Sequence, residues 1–380
     1  MLEYKIDFYQ NLLTLTILII SYMIVLLVGV KEKKDIGKVT LLFLWHTFFS
    51  VVYFVFSLFN VSDATNYYKK SVINTVFEFY PGTPFVSFLA SFVSQGLDAS
   101  YLNTTLFFNL IGSVGLVLLY LSIKNYLKAF PWYWFLILFT PSMSFWSASL
   151  SKDSVSFFAA CLFLYAVTTG KRTTLLIALA FFAMFMVRPH VGALILASYV
   201  VYFILRARLH IIFKLITIPV IISGLLLSIS FVEEYIGLDD TSVDGYSDYV
   251  TGRESANSHG GSSIDISSMS YPMKMFTYIF RPLPFEAHNI TSLITSIENV
   301  ILMFAFLALL FKAKFNLKPF IKDENLWLFT YFFLTSSILA LTTANLGIAT
   351  RQKWMFMPVL IYLLIYIFYE YRAKSFKTKS

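Results

Sequence analysis

The sequence predicts an all-α, polytopic membrane protein that crosses the bilayer about eleven times. Three observations carry that expectation. Of 380 residues, 58% are hydrophobic, 19% are aromatic and only 13% are charged, with a mean hydropathy of +0.73; a soluble domain does not sustain that balance. Apolar runs of about 20 residues, the length that spans the ~30 Å hydrocarbon core of a bilayer, recur from Leu12 nearly to the C-terminus. The charged segments between the runs then alternate in sign from one side to the other.

The runs lie near 12–30, 39–59, 101–123, 130–147, 151–169, 173–187, 191–205, 211–231, 290–311, 326–343 and 354–370. Before the first, "MLEYKIDFYQN" has no basic leader and no small-residue cleavage site follows, so this run reads as a retained span rather than a signal peptide. One side of the membrane receives "KEKKDIGK", "KNYLK", "GKR", "RARLHIIFK", "KAKFNLKPFIKDEN" and "EYRAKSFKTKS", which together hold 19 Lys and Arg against 5 Asp and Glu, net +14. The other side is left with net −6, and the two recover the chain's +8. An excess of basic residues marks cytoplasmic loops, so the N-terminus is expected outside and the C-terminus inside. The positive balance is then a rim facing an anionic leaflet rather than a nucleic-acid surface.

The run from Thr173 to Leu205 contains "VRPHVG" at its middle. Read as one helix it would swap the side of every later loop and place "KAKFNLKPFIK" outside, against the charge pattern. A hairpin is expected instead, turning at Arg188, Pro189 and His190, where proline interrupts the helix. Each arm has about 15 residues and reaches roughly 22 Å, short of the hydrocarbon thickness. The tip is therefore expected in a water-filled cavity open to the outside, with Arg188 facing an anion.

The sequence reads as a single transmembrane domain over 1–380 with two large external segments. The first, 60–100, is long enough for interfacial helices around "YPGTP"; the second, 232–289, is rich in Gly, Ser and Asp and suits a lid. Five external segments carry Asp63, Lys152, Asp153, Arg188, His190, Arg281, Glu286, His288, Arg351 and Lys353. A cavity lined by these groups suits an anionic, membrane-resident substrate such as a polyprenyl-linked phosphate or diphosphate. The bases considered for activating an acceptor hydroxyl are Asp63, Asp153, Glu286 and His190. Asp63 is preferred because Tyr67, four residues on, would share its helical face and offer a ring for a sugar to stack on. Asp153 beside Lys152, and Glu286 near Arg281, are expected to be held ionised by those cations.

Plainer roles compete with each of these. The arginines suit snorkelling anchors at helix ends, Lys152 and Asp153 a structural pair at a helix start, and Asp63 an N-cap for "ATNYYKKSVIN". His190 and His288 read as hydrogen-bonding neighbours of the arginines, because no His or Cys pair has metal-ligand spacing. The single cysteine, Cys161, lies within a span and rules out an intramolecular disulfide. "DDTSVDG" lacks the alternate-residue spacing of an EF-hand loop, and there is no P-loop, dinucleotide fingerprint or nucleophile elbow.

The combination of "SDATNYY", "PSMSFWSASLSKDS", "VRPHVG", "FRPLPFEAHN" and "NLGIATRQKWMFMPVL" resembles the multi-spanning bacterial proteins of the O-antigen polymerase type, within or near the GT-C glycosyltransferase superfamily. The Arg-x10-Gly pattern of some polymerases is absent, since Tyr199, Ser292 and Tyr362 stand where the glycines would be. The resemblance implies a GT-C-like fold in the bacterial cytoplasmic (inner) membrane, with an active site facing the periplasm or exterior. It also implies a polyprenyl-diphosphate-linked glycan donor, a similarly linked acceptor, and other polysaccharide-assembly membrane proteins as partners. In such enzymes an acidic residue of the first external loop commonly serves as base or metal-contacting group, the position of Asp63, and external arginines grip the substrate, as Arg188, Arg281 and Arg351 would. The reaction requires no nucleotide cofactor and leaves room for a divalent cation. The rival reading is a flippase of lipid-linked oligosaccharide, which a cationic cavity would also serve.

The topology is checked with cysteines introduced at Ser258 and Ser375 and a membrane-impermeant thiol reagent. In intact cells the first should label and the second should not; equal labelling at both would discard the assigned sidedness.

Overall fold

The computed structural model describes residues 7–74, 78–170, 173–206, 211–238, 242, 245, 248–252 and 262–377. Much of the stretch expected to act as a lid, including Asp239, Asp240 and Asp244, lies outside the described residues. Among the described residues the regular structure is helical, with one isolated β-bridge between Ser263 and Asn345. Among the described residues, seven helices are long and apolar enough to cross a membrane, and an eighth candidate is a pair bent by 61°, Leu346–Met355 with Met357–Ala373. The chain divides into two compact units, Met1–Arg188 and Pro189–Ser380. That division falls within the "RPH" motif, between the arginine and the proline.

The first unit is built on α5 (Tyr101–Leu127), which packs against α1 (Phe8–Gly29), α2 (Asp35–Phe59) and α7 (Lys152–Thr169). Its apolar window is 78% buried, against 22% for α1. Glycines on α5 allow this close approach: a Cβ at Gly112 would lie 2.0 Å from the Ser147 carbonyl oxygen, and one at Gly115 would lie 2.9 Å from Phe158 Cα. Polar side chains buried at the same contact satisfy one another, with His46 Nδ1 2.7 Å from Asn109 Oδ1 and His46 Nε2 2.9 Å from Ser147 Oγ. At the other end of α2, Asp35 accepts from Tyr120 Oη at 2.7 Å and Lys124 Nζ at 2.8 Å. It also accepts from the Lys31 and Glu32 amides, so one carboxylate ties the α1–α2 turn to α5.

Two short helices, α3 (Asp63–Ile73) and α4 (Thr83–Ser94), occupy the 60–100 segment and pack on each other. The run at 130–147, expected as one span, is a 3-10 turn over Trp132–Phe139 followed by α6 (Pro141–Ser147). Prolines explain the difference: Pro141 cannot donate to a continuing helix and holds Thr140 extended at φ −60, ψ 117. α8 (Thr173–Val187) packs along α7, which ends on Gly170 in the left-handed region at φ 65.

The second unit starts with α9 (Pro189–Arg206), which packs on α10 (Ile211–Ile236) and α13 (Asn325–Thr342). Trp327 of α13 donates its indole N–H to the Ile195 carbonyl at 3.2 Å and its ring lies against Tyr199 and Tyr202. α11 (Tyr271–Phe280) contacts α12 (Ile290–Lys312), α13 and α14 (Leu346–Gln352). α15 (Met357–Lys377) packs against α12 and α13. The apolar window of α10, Thr217–Ile236, is 0% buried among the described residues.

Candidate functional site

In the first unit the charged residues gather where α8 stops. The Arg188 amide donates to the Met184 carbonyl at 2.7 Å, closing the last turn, and Pro189, which has no N–H to give, opens the next helix. The Met186 carbonyl, orphaned at that helix end, accepts from the Gly82 amide at 2.8 Å. Gly82 makes this bond at φ 90, ψ −131, a backbone region open to glycine. The "YPGTP" loop is thereby fastened beside Arg188.

Arg188 is only 8% exposed, and its Nη2 donates to Asp153 Oδ1 at 2.7 Å. Asp153, 4% exposed, stands in the first turn of α7, where the helix dipole favours its charge. Ser151 caps that turn by accepting from the Asp153 amide at 3.1 Å, and Ser149 Oγ lies 2.7 Å from Ser151 Oγ. A buried pair of this kind does not fit a snorkelling anchor, which keeps its head in water. The Arg188 Nε finds no acceptor among the described residues, an N–H whose desolvation costs about 1–3 kcal/mol unless something else accepts it. Lys152 is half-buried at the start of α7. The carboxylate next to it belongs to Arg188, from 35 residues away, rather than to a pair made by the two neighbours alone.

Asp63 and Tyr67 lie one turn apart on α3, as the spacing predicts. The N-cap is Ser62, and Asp63, the first helical residue, is exposed. Tyr67 is 5% exposed, so its ring packs inside the unit and offers no open face for a sugar.

In the second unit four segments meet: 262–264, 281–288, 298–299 and 345–353. The Leu346 amide donates to the Ser262 carbonyl at 2.9 Å and the Ile264 amide to the Ala344 carbonyl at 3.0 Å. His288, exposed, has its Nε2 3.4 Å from Ser262 Oγ. Arg281 follows α11 and is tied by its own loop: its Nε donates to Glu286 Oε1 at 2.8 Å and Oε2 at 3.1 Å, and its Nη2 also binds Oε1. Glu286 takes the Leu283 amide as well, at 2.7 Å. Partial burial works against ionisation of Glu286, but the hydrogen bonds and charge of Arg281 and the Leu283 N–H outweigh it and hold the carboxyl below its ordinary range. A carboxylate so held is a poor proton acceptor near neutral pH.

Arg351, half-buried on α14, lies on an element that abuts α11, the helix Arg281 follows; Tyr278 Oη donates to Gln352 Oε1 at 3.4 Å. Lys353, expected among the cavity-lining groups, is 0% exposed and its ammonium is engaged internally, donating to Asn299 Oδ1 at 2.5 Å. His190 is half-buried in the first turn of α9. Glu298 and Asn299 were not among the candidates read from sequence, although a carboxylate in the apolar run "ITSIENVILMF" is itself a signal for a functional or structural charge. Among the described residues no group of three or more His, Cys, Asp or Glu is placed to hold a metal ion.

The fold and the clusters define a polytopic, all-α membrane protein with internally paired cations at its helix breaks. The chain belongs to the EpsG family, whose model matches residues 93–379, and this is an exopolysaccharide and O-antigen polymerase-like membrane family. No curated protein and no solved structure matches the chain.

Asp153→Leu alone leaves Arg188 buried without its counter-charge and should cost about 3–5 kcal/mol. Combining it with Arg188→Met should return most of that stability in detergent unfolding. A single variant as stable as the wild type would remove the pair from the interior. For Glu286 the folded carboxyl lies below its ordinary 4.5, so its contribution is present above that value and is lost as pH falls through the folded one. The gap in thermal midpoint between wild type and Glu286→Gln should therefore close on acidification below 4.5; a gap that widened there would reverse the sign.

Proposed function

We propose that this protein is a polymerase-type membrane glycosyltransferase. It transfers glycan from a polyprenyl-diphosphate-linked donor to a lipid-linked acceptor, on the outer face of the cytoplasmic membrane, during synthesis of a surface polysaccharide. Family membership supports the polymerase class. The observation that carries the substrate reading is Arg188: a buried guanidinium, oriented by Asp153, that keeps an Nε–H without an acceptor among the described residues. Phosphate oxygens are what such a planar donor edge recognises.

In the proposed reaction the bond between the sugar C1 and the diphosphate oxygen breaks as the acceptor hydroxyl oxygen bonds to C1. The hydroxyl proton passes to a base, and the diphosphate leaves with the electron pair. Arginines stabilise the charge that develops on it. The linkage is already activated, so no nucleotide is consumed. Asp63 is the first choice of base; Glu286, tied to Arg281, is better suited to orienting that arginine than to accepting a proton. His190 is the remaining candidate.

The test uses purified protein in detergent with the lipid-linked repeat units that accumulate in cells lacking it. Longer glycans are expected, whereas a flippase would give none, because transport has no meaning without a sealed bilayer. Arg188→Lys, Arg281→Lys and Arg351→Lys keep the charge but lose the planar fork, and each should lower kcat/KM at least ~10-fold, about 1.4 kcal/mol. Wild-type rates in all three would return the arginines to anchoring roles. Asp63→Asn should insert normally and lose about 100-fold or more in kcat; full activity would move the base to His190.

A further inference from the structure

Arg281 has a second support, reached through the interior of the second unit. Asn299 Nδ2 donates to the Pro282 carbonyl at 3.1 Å, and Asn299 Oδ1 accepts from Lys353 Nζ at 2.5 Å. The chemistry fixes which way this amide points. A carbonyl can only accept and an ammonium can only donate, so the nitrogen must face Pro282 and the oxygen must face Lys353. Lys353 lies 4.0 Å from Glu298 Oε1, and all three side chains are buried: Asn299 and Lys353 at 0% exposed and Glu298 at 6%. An ammonium withdrawn from water this completely is costly unless it is paired and hydrogen-bonded, and both conditions are met here.

The result is a strut. The carbonyl of Pro282, the residue after Arg281, is held by Asn299, the amide of Asn299 is fixed by Lys353, and the charge of Lys353 is balanced by Glu298. At the other end the guanidinium of Arg281 is held by Glu286, itself braced by the Leu283 amide. The side chain of Arg281 and the backbone of the residue that follows it are thus held by two separate sets of contacts. Helix packing alone does not require the second set, since the Arg281 amide already closes α11 on the Thr277 carbonyl at 3.1 Å.

We infer that Asn299 and Lys353, with Glu298 as counter-charge, are positioning residues that aim Arg281 at the leaving diphosphate; this rests on the reading of Arg281 as a substrate-gripping group. Lys353 then acts from the interior and does not touch substrate. A catalytic cation misplaced by about 1 Å loses on the order of 100-fold in rate, so the strut acts on catalysis rather than on assembly.

The test is a double-mutant cycle in the detergent assay with lipid-linked repeat units. Asn299→Asp keeps the volume and the acceptor for Lys353 but removes the donor to Pro282. It should insert at the wild-type level and lower kcat/KM on the order of 100-fold. In combination with Arg281→Lys it should lower kcat/KM little beyond Arg281→Lys alone, because both act through one guanidinium. A purely structural role predicts losses that multiply. Should Asn299→Asp insert poorly, Glu298→Gln with Lys353→Met runs the same cycle: it leaves no net buried charge, yet frees the Asn299 amide. Wild-type kcat and KM in an inserted strut variant, with Arg281→Lys impaired, overturns the inference alone. Wild-type activity in Arg281→Lys overturns the reading of Arg281 beneath it.

Discussion

A charge withdrawn from water must find its partner inside the protein, and the buried Arg188–Asp153 pair is where that constraint shapes this chain most. In hydrocarbon an uncompensated guanidinium is costly enough that the backbone around it must be built to supply an anion. Here the supply comes from α7: Ser151 caps the first turn, the turn presents Asp153, and Asp153 reaches the arginine at the end of α8. Pro189 ends that helix at the right residue, and the Gly82 amide satisfies a carbonyl the break exposes. Cap, break and loop follow from one need to pair a single cation.

The same rule recurs in different forms. Asp35 is neutralised by Lys124 and surrounded by three further donors, a saturated arrangement that ties a turn to α5 and has nothing left to offer a ligand. Lys353 is equally enclosed. Arg281 differs, because its carboxylate comes from five residues away in the same loop, so pairing costs little chain entropy and the pair stays partly exposed. Saturated buried pairs hold the fold, whereas a pair that leaves a donor edge open or a face at the surface can meet a substrate.

The spans were legible because length and hydropathy report directly on the bilayer: α1, α2, α5 and α12 follow the apolar runs within a few residues. The break at Arg188 was legible from proline and from loop charge. The 130–147 run was not, since its hydropathy is that of a span and only Pro131 and Pro141 signal the interruption. Pairings were the least legible. Nothing local connects Asp153 to Arg188 across 35 residues or Lys353 to Asn299 across 54, and "RQKW" reads as two equivalent cations although one is half-exposed and the other is sealed in. Side-chain type is a local property, whereas helix packing decides which of two neighbouring cations is sealed in.

That distinction also bears on where a base can be found under the proposed chemistry. A carboxylate that neutralises an arginine is kept ionised by it, and each gain in that pairing lowers its affinity for a proton. Glu286, paired with Arg281, is committed in this way, and Asp153 already accepts from Arg188. An active site that needs cations for a leaving diphosphate and a base for an incoming hydroxyl must therefore draw the base from a group outside those pairs. Asp63, exposed in the first turn of a short helix, is the proposed choice. Separating the groups that hold charge from the group that accepts a proton lets one chain supply both.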